Sequence, residues 1–247
     1  MYDQRQPGTF DIGRVLQRTF GAIGRNFPLF FGLSLVLAGG PSLVAQFAEE
    51  ADDLGVRVLV GLVGWLISVL TTLVLQAGLV HGTVADLNGR RTTLSASLAV
   101  GGRTFLPVLG ISILLVLGVF VGYALLVVPG VFLMVIWIVV VPAEVIERRG
   151  VFASFGRSRD LTRGHRWRVL GLLLIYFVLW VVIATVSTAI QAGIDGPEGQ
   201  GLAGLVVFPL LTALSAMVAA VGAAATYVEL RQAKEGVGAE DLAAVFA

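Results

Sequence analysis

Few residues in this sequence are of the types that usually carry out catalysis or bind metals. Cys is absent, and His81 and His165 are the only histidines, each without a partner at metal-ligand spacing. Glu144 and Glu147 lie one helical turn apart, which suits either a proton-handling pair or charge partners for nearby arginines. The sequence contains no nucleophile elbow, phosphate-binding loop or dinucleotide fingerprint. We therefore expect no enzyme activity, no metal and no cofactor.

The most concentrated chemistry is cationic. Seven of the seventeen Lys and Arg residues lie between Arg148 and Arg168. Each basic residue beside an anionic leaflet contributes about 1 kcal/mol of binding, and a Trp ring prefers the same interface. We predict an anionic-phospholipid site formed by this connector and the first helix. Its expected contacts are Arg157, Arg163, Arg166, Trp167, Arg168, Arg14 and Arg18.

Two other uses of these arginines remain open. Some of them must pair with Glu144, Glu147 or Asp160, because a carboxylate among so many guanidinium groups gains strong hydrogen bonds. The whole cluster would also be explained if it only set the orientation of the chain in a membrane.

The elements around these residues are apolar. The chain has 247 residues, 57% hydrophobic and 13% charged, whereas about a quarter of a soluble domain is charged. A helix of about 20 apolar residues crosses a bilayer. The pattern predicts one all-α membrane domain, 1–247, with six transmembrane helices arranged as three hairpins. The expected spans are about 27–47, 58–81, 105–128, 131–145, 169–190 and 202–227.

The fourth expected span is the shortest. Pro142 lies near its end, and the Pro129–Gly130 pair before it is expected to form a tight turn after the third span. A short helix would have to borrow flanking residues or lie where the bilayer thins.

Charge predicts the orientation of the spans. Sixteen of the seventeen basic residues fall in alternate connections and the terminal segments on one side. By the positive-inside rule both termini are cytoplasmic, with 228–247 as a cytoplasmic tail. Residues 1–26 contain an amphipathic helix whose apolar side chains recur at helical spacing, while Arg14 and Arg18 project to the other side. That apolar face comprises Ile12, Leu16, Phe20, Ile23 and Phe27.

A short pattern recurs three times, before the first, third and fifth spans. Each copy has a Gly, an Arg within two positions, an aromatic ring and then a span: it is found at Gly24–Arg25, Gly102–Arg103 and Gly164. Gly would permit a turn, Arg would reach phosphate, and the ring would lie among headgroups. We predict three elbows, each between an interfacial helix on the cytoplasmic side and a hairpin. The alternative is that any cytoplasmic entry into a membrane has this pattern.

Small residues indicate close helix contacts. Gly118 and Gly122 form a GxxxG motif in the third span, and the sixth span is rich in Ala and Gly. Such motifs serve packing inside one chain or association of two copies, so a homo-oligomer remains open.

The fourth span and the connector after it carry a family resemblance. Trp137, Pro142 and Glu147 are followed by Arg157-Ser158, Leu161-Thr162, Gly164 and Trp167. This pattern resembles the bacterial glycerophosphoryl diester phosphodiesterase membrane-domain family. The resemblance implies a six-span module with interfacial helices in the bacterial inner membrane. Some relatives carry a catalytic barrel of about 200 or more residues, for which these 247 residues leave no room.

Two functions follow from these expectations. The first is a non-enzymatic membrane module that binds phospholipid, or a membrane or cytoplasmic protein, in envelope or lipid homeostasis. The second is a small-molecule or lipid transporter, since broken helices are typical of transporters. The spans lack a charge near mid-membrane, which favours the first. Nothing in the sequence predicts nucleic-acid binding.

Overall fold

The computed structural model describes residues 9–49, 53–90, 92–195 and 202–236. These residues form ten α-helices and one π-helical segment, and no strand occurs among them. The helices are α1 (Ile12–Ser34), α2 (Gly40–Glu49), α3 (Leu54–Leu87), α4 (Leu94–Arg103), α5 (Phe105–Leu125), α6 (Val127–Trp137), α7 (Val140–Glu147), α8 (Val151–Thr162), α9 (Arg166–Asp195) and α10 (Leu202–Glu235). The π-helical segment, Leu35–Gly39, joins α1 to α2.

Six helical stretches in the described part of the chain are long and apolar enough to cross a membrane. They are Ile12–Val44, Leu54–Leu87, Phe105–Leu125, Val127–Glu147, Arg166–Ile194 and Leu205–Glu235. The prediction of an all-α protein with six candidate transmembrane helices is confirmed.

The fourth span is longer than the sequence suggested, and it is interrupted. Pro129 and Gly130 do not form the turn, because α6 already begins at Val127 and Leu126 is the extended residue before it. Proline is tolerated in a first helical turn, where its missing N–H has no partner to lose. Val139 leaves the helical conformation and α7 starts at Val140, so Pro142 also lies in a first turn.

The second and fifth spans extend beyond both ends of the apolar segments that predicted them, whereas α5 ends at Leu125, three residues before the expected end. The expected tail at 228–247 is helical in its first part, because α10 continues to Glu235 and buries Glu229. The first eight residues of the expected amphipathic helix, and 237–247 of the tail, lie outside the described residues. Hydropathy identifies the apolar part of a helix that can lie in the hydrocarbon of a bilayer. It does not detect polar helical turns at the ends, so the predicted bounds were too short there.

Near two of the three predicted elbows, the backbone break lies two residues after the glycine. In α1 the non-helical residue is Asn26 (φ −118°, ψ 20°), and between α4 and α5 it is Thr104 (φ −94°, ψ 4°). Both conformations are open to ordinary residues, so Gly24 and Gly102 are not needed for the breaks. Gly164 is different, since its φ of +91° favours glycine.

Helix α10 is the centre of the packing, with contacts to α1, α3 and α9. Its small residues allow close approach: a Cβ at Gly222 would lie 2.5 Å from the Tyr176 hydroxyl oxygen. The GxxxG motif of α5 packs inside the chain. A Cβ at Gly118 would lie 2.5 Å from the Trp137 ring, and one at Gly122 would lie 2.9 Å from the backbone of α6.

Candidate anionic-lipid site

The arginines predicted in the first helix face α10. Glu229 is 1% exposed, and it accepts hydrogen bonds from Arg14 Nε at 2.9 Å and Arg18 at 2.8 Å. It also accepts the backbone N–H of Asp11, the N-cap residue of α1, at 3.1 Å. Arg14 and Arg18 therefore anchor α1 to α10.

This contact changes the predicted faces of α1. The side against the protein carries Val15, Thr19 and Ala22, all buried. Phe20 and Phe27, expected on the same apolar face as Ile23, are 48% and 45% exposed. The periodicity identified a helix correctly, but it could not show that the arginines would turn toward a carboxylate 211 or more residues away.

Glu147 is the centre of a second ion-pair network. Its side chain accepts hydrogen bonds from Arg157 Nε at 2.9 Å and from the Tyr227 hydroxyl at 2.7 Å. Arg149 pairs with the same carboxylate, and Arg157 also pairs with Glu235. Arg157, predicted as a lipid contact, is thus held between two carboxylates.

Glu144 has a different environment. It is 3% exposed and accepts hydrogen bonds from the Gly150 backbone N–H at 2.8 Å and the Ser154 hydroxyl at 2.7 Å. Gly150 is the N-cap residue of α8. Glu144 therefore satisfies donors at the start of α8, as Glu229 does at the start of α1.

Several of the residues that carried the family resemblance lie where α6, α7 and α8 join, whereas Gly164 and Trp167 lie at the entry to α9. The Trp137 ring packs edge-on against Phe155, with centroids 5.0 Å apart. Pro142 is buried in the first turn of α7. The Ser158 hydroxyl donates to the Ile136 carbonyl at 2.8 Å, one turn before the interruption. The pattern thus has a structural role in docking α8 against the broken span.

Three of the arginines outside these networks share one pocket. Arg159, Arg163 and Arg166 line a polar pocket of about 380 Å³ together with Gly156 and Asp160. No salt bridge between described residues involves any of the three. Three guanidinium groups and one carboxylate leave the pocket with two net positive charges.

The surroundings of this pocket, hereafter the arginine pocket, are apolar on one side. The Arg166 guanidinium lies over the Phe132 ring, 5.1 Å from its centroid. Arg166 Nε is buried and has no hydrogen-bond partner among the described residues. Trp167 beside it is 85% exposed. A buried donor without a partner is costly.

The connector between α8 and α9 has a defined shape. Helix α8 ends at Thr162, and Gly164 takes its positive φ in the turn before α9. Lys234 of α10 donates to the Arg163 carbonyl at 2.8 Å. Arg168, predicted as a lipid contact, donates to the Phe10 carbonyl at 2.7 Å. These bonds hold Arg163 and Arg166 beside each other at the entry to α9.

The pKa of His165 is lowered by its surroundings. Burial lowers the pKa of its imidazole, and the charges of Lys234 and Arg168 lower that pKa further. The imidazole is therefore held neutral in the neighbourhood of the arginine pocket at pH 7.

The sequence missed several contributors. Arg159 and Gly156 line the pocket, and Lys234 supports it. Arg159 precedes Arg163 by four residues, about one helical turn, so the two could have been considered together from the sequence. Nothing in the sequence could show that Lys234 contacts residue 163. Arg103, from the second elbow, is exposed, while Arg25 from the first forms a two-point contact with Asp86.

Comparison with known proteins gives one family. The family described as "Domain of unknown function (DUF7847)" matches residues 111–230, a little under half of the chain. The matched range runs from α5 through most of α10 and includes the arginine pocket. No match to the glycerophosphoryl diester phosphodiesterase membrane-domain family is found, so that resemblance stays a hypothesis. No curated protein and no solved structure matches the chain.

Proposed function

We propose that this chain is a multi-pass module of the bacterial inner membrane, with six spans in three hairpins and both termini in the cytoplasm. The basic residues support this orientation, since sixteen of seventeen fall in the alternate connections and terminal segments that it assigns to the cytoplasm. The segment 12–25, α4 and α8 would be the interfacial helices. Each precedes a backbone break at Asn26, Thr104 or Gly164.

The contacts between helices support three repeated units. Helix α4 packs on α3, α8 packs on α7, and α1 packs on α10. The proposed interfacial helices α4 and α8 thus each contact the second span of the preceding unit. The interfacial part of α1, in the first unit, contacts α10, which is the second span of the third unit. Glu144 and Glu229 make equivalent bonds to the N-cap residues of α8 and α1.

We further propose that the module binds anionic phospholipid without catalysing a reaction on it, in a role in envelope or lipid homeostasis. The observation that carries this proposal is the arginine pocket: three arginines without a salt bridge among described residues, a buried donor on Arg166 and the exposed Trp167. A lipid phosphate offers the acceptors and the charge that this site lacks. The resemblance to the phosphodiesterase membrane-domain family is compatible with such a role.

The test is a double variant, Arg163→Gln with Arg166→Gln. Two basic residues contribute about 2 kcal/mol near an anionic headgroup, so affinity for phosphatidylglycerol should fall roughly 30-fold. Native mass spectrometry of protein in maltoside detergent would measure it. The matched control is Arg90→Gln with Arg148→Gln, which removes two exposed arginines that neither line the pocket nor belong to a predicted elbow. Equal retention in both double variants would contradict the proposal.

A transporter is the second candidate, because the fourth span is interrupted at Ile138–Val139 and broken helices form transport paths. The crevices among the spans give that candidate less support. One of about 200 Å³ lies between α9 and α10, and its lining is mainly apolar, with Tyr176 and Ser215 as polar residues. Exchange of a fluorescent phospholipid between leaflets of proteoliposomes, faster than in protein-free vesicles, would favour transport.

A further inference from the structure

An open apolar groove runs along the outer side of the pair formed by α5 and α6. It has a volume of about 560 Å³, and its walls include Leu117, Val121, Leu125 and Phe132. These side chains are 46–71% exposed. Gly118 and Gly122 form its floor, where α5 approaches α6 closely.

The groove adjoins the arginine pocket through one residue. Phe132 lines the groove, and its ring also carries the Arg166 guanidinium at 5.1 Å. Arg166 in turn lines the arginine pocket. The cationic pocket and the apolar groove are therefore linked by the contact between Arg166 and Phe132.

We infer that the groove holds an acyl chain of the same phospholipid whose headgroup occupies the arginine pocket. The inference rests on the proposed function, and it specifies a diacyl anionic phospholipid as the ligand rather than a soluble phosphate ester. A free phosphate ester would use the pocket and leave the groove empty. An apolar partner helix would use the groove and gain nothing from three arginines.

The experiment compares a groove variant with a matched surface variant. Val121→Trp places a bulky ring in the groove, whereas Val116→Trp places it on an exposed position of α5 outside the groove lining. Val121→Trp should weaken the binding of dioleoyl-phosphatidylglycerol by about fivefold through overpacking. Val116→Trp should not change it. Both variants should bind glycerol 3-phosphate, which has the charge but no chains, as the wild type does.

The outcomes separate the two proposals. If Arg163→Gln with Arg166→Gln leaves phosphatidylglycerol binding unchanged, the arginine pocket is not the headgroup site and both proposals fail. If that variant weakens binding but Val121→Trp behaves like Val116→Trp, only the acyl-chain assignment fails. Phosphatidylglycerol with a photoreactive acyl chain gives a second reading on the wild type. Its adducts should concentrate on α5 and α6, and adducts spread evenly over all exposed helices would overturn the assignment.

Discussion

Single carboxylates decide which arginines of this chain are engaged internally. Glu229 binds Arg14 and Arg18, and Glu147 binds Arg157. All three arginines belong to the set expected from sequence to contact lipid. Their side chains are 15–30% exposed, so their charges mainly join helices together. What remains for an external anion is the smaller set around Arg163 and Arg166.

At this scale the sharpest prediction concerns Glu229. In Glu229→Gln the two arginines lose their charged partner, and the buried amide donates where the carboxylate accepted. We expect a loss of about 2 kcal/mol of unfolding free energy. Thermal or denaturant unfolding in detergent micelles would measure the loss.

The matched control for that substitution is Asp160→Asn. Asp160 is exposed and has no salt bridge among described residues, so its replacement should change stability by less than about 0.5 kcal/mol. If Glu229→Gln proved as stable as this control, the Glu229 network would not hold α1 to α10.

At the scale of helices, sequence patterns located elements better than they located element ends. Apolar runs identified all six candidate spans, because no other signal in a chain is as strong as about 20 apolar residues. The prediction of a turn at Pro129 was wrong, because Pro129 lies inside α6. Proline occurs both in turns and in the first turn of a helix, so its presence did not distinguish the two. The predicted end of the sixth span was also too early, because α10 continues past Glu229 as a polar helix.

The arginine pocket was predictable only in part. The density of arginine between 148 and 168 drew attention to the correct connector. The division of these arginines into paired and unpaired ones depends on Glu147, Glu235 and Lys234, which come together only through packing of α7, α8 and α10. Long-range contacts of that kind leave no trace in a single sequence.

The orientation of the helices gives a prediction of its own. The chain has no native Cys, so single cysteines report without background. Leu54→Cys and Gly193→Cys, at exposed ends of α3 and α9, should react with an impermeant thiol reagent added outside intact cells. Ala153→Cys, exposed on α8, should react only after the membrane is opened. Ser154 next to it is unsuitable, because it is buried against Glu144. The reverse labelling pattern would invert the proposed topology.

At the scale of the whole molecule, the first and last helices are neighbours. Helix α1 packs along α10, and the Glu229 network joins them. The α5–α6 pair lies at the other extreme, since many of its side chains are exposed, including Val116, Phe120 and Leu125. The exposed α5–α6 pair is compatible with the proposed lipid site at the edge of the protein.

The central claim is that the arginine pocket recognises the negative charge of a phospholipid. The most direct test is the affinity of the purified wild-type chain for phosphatidylglycerol relative to phosphatidylcholine with identical acyl chains, at low and high salt. Two net charges in the pocket predict a preference of roughly 30-fold for phosphatidylglycerol at low salt, decreasing as salt screens the interaction. Equal affinity for the two lipids at low salt would contradict the claim.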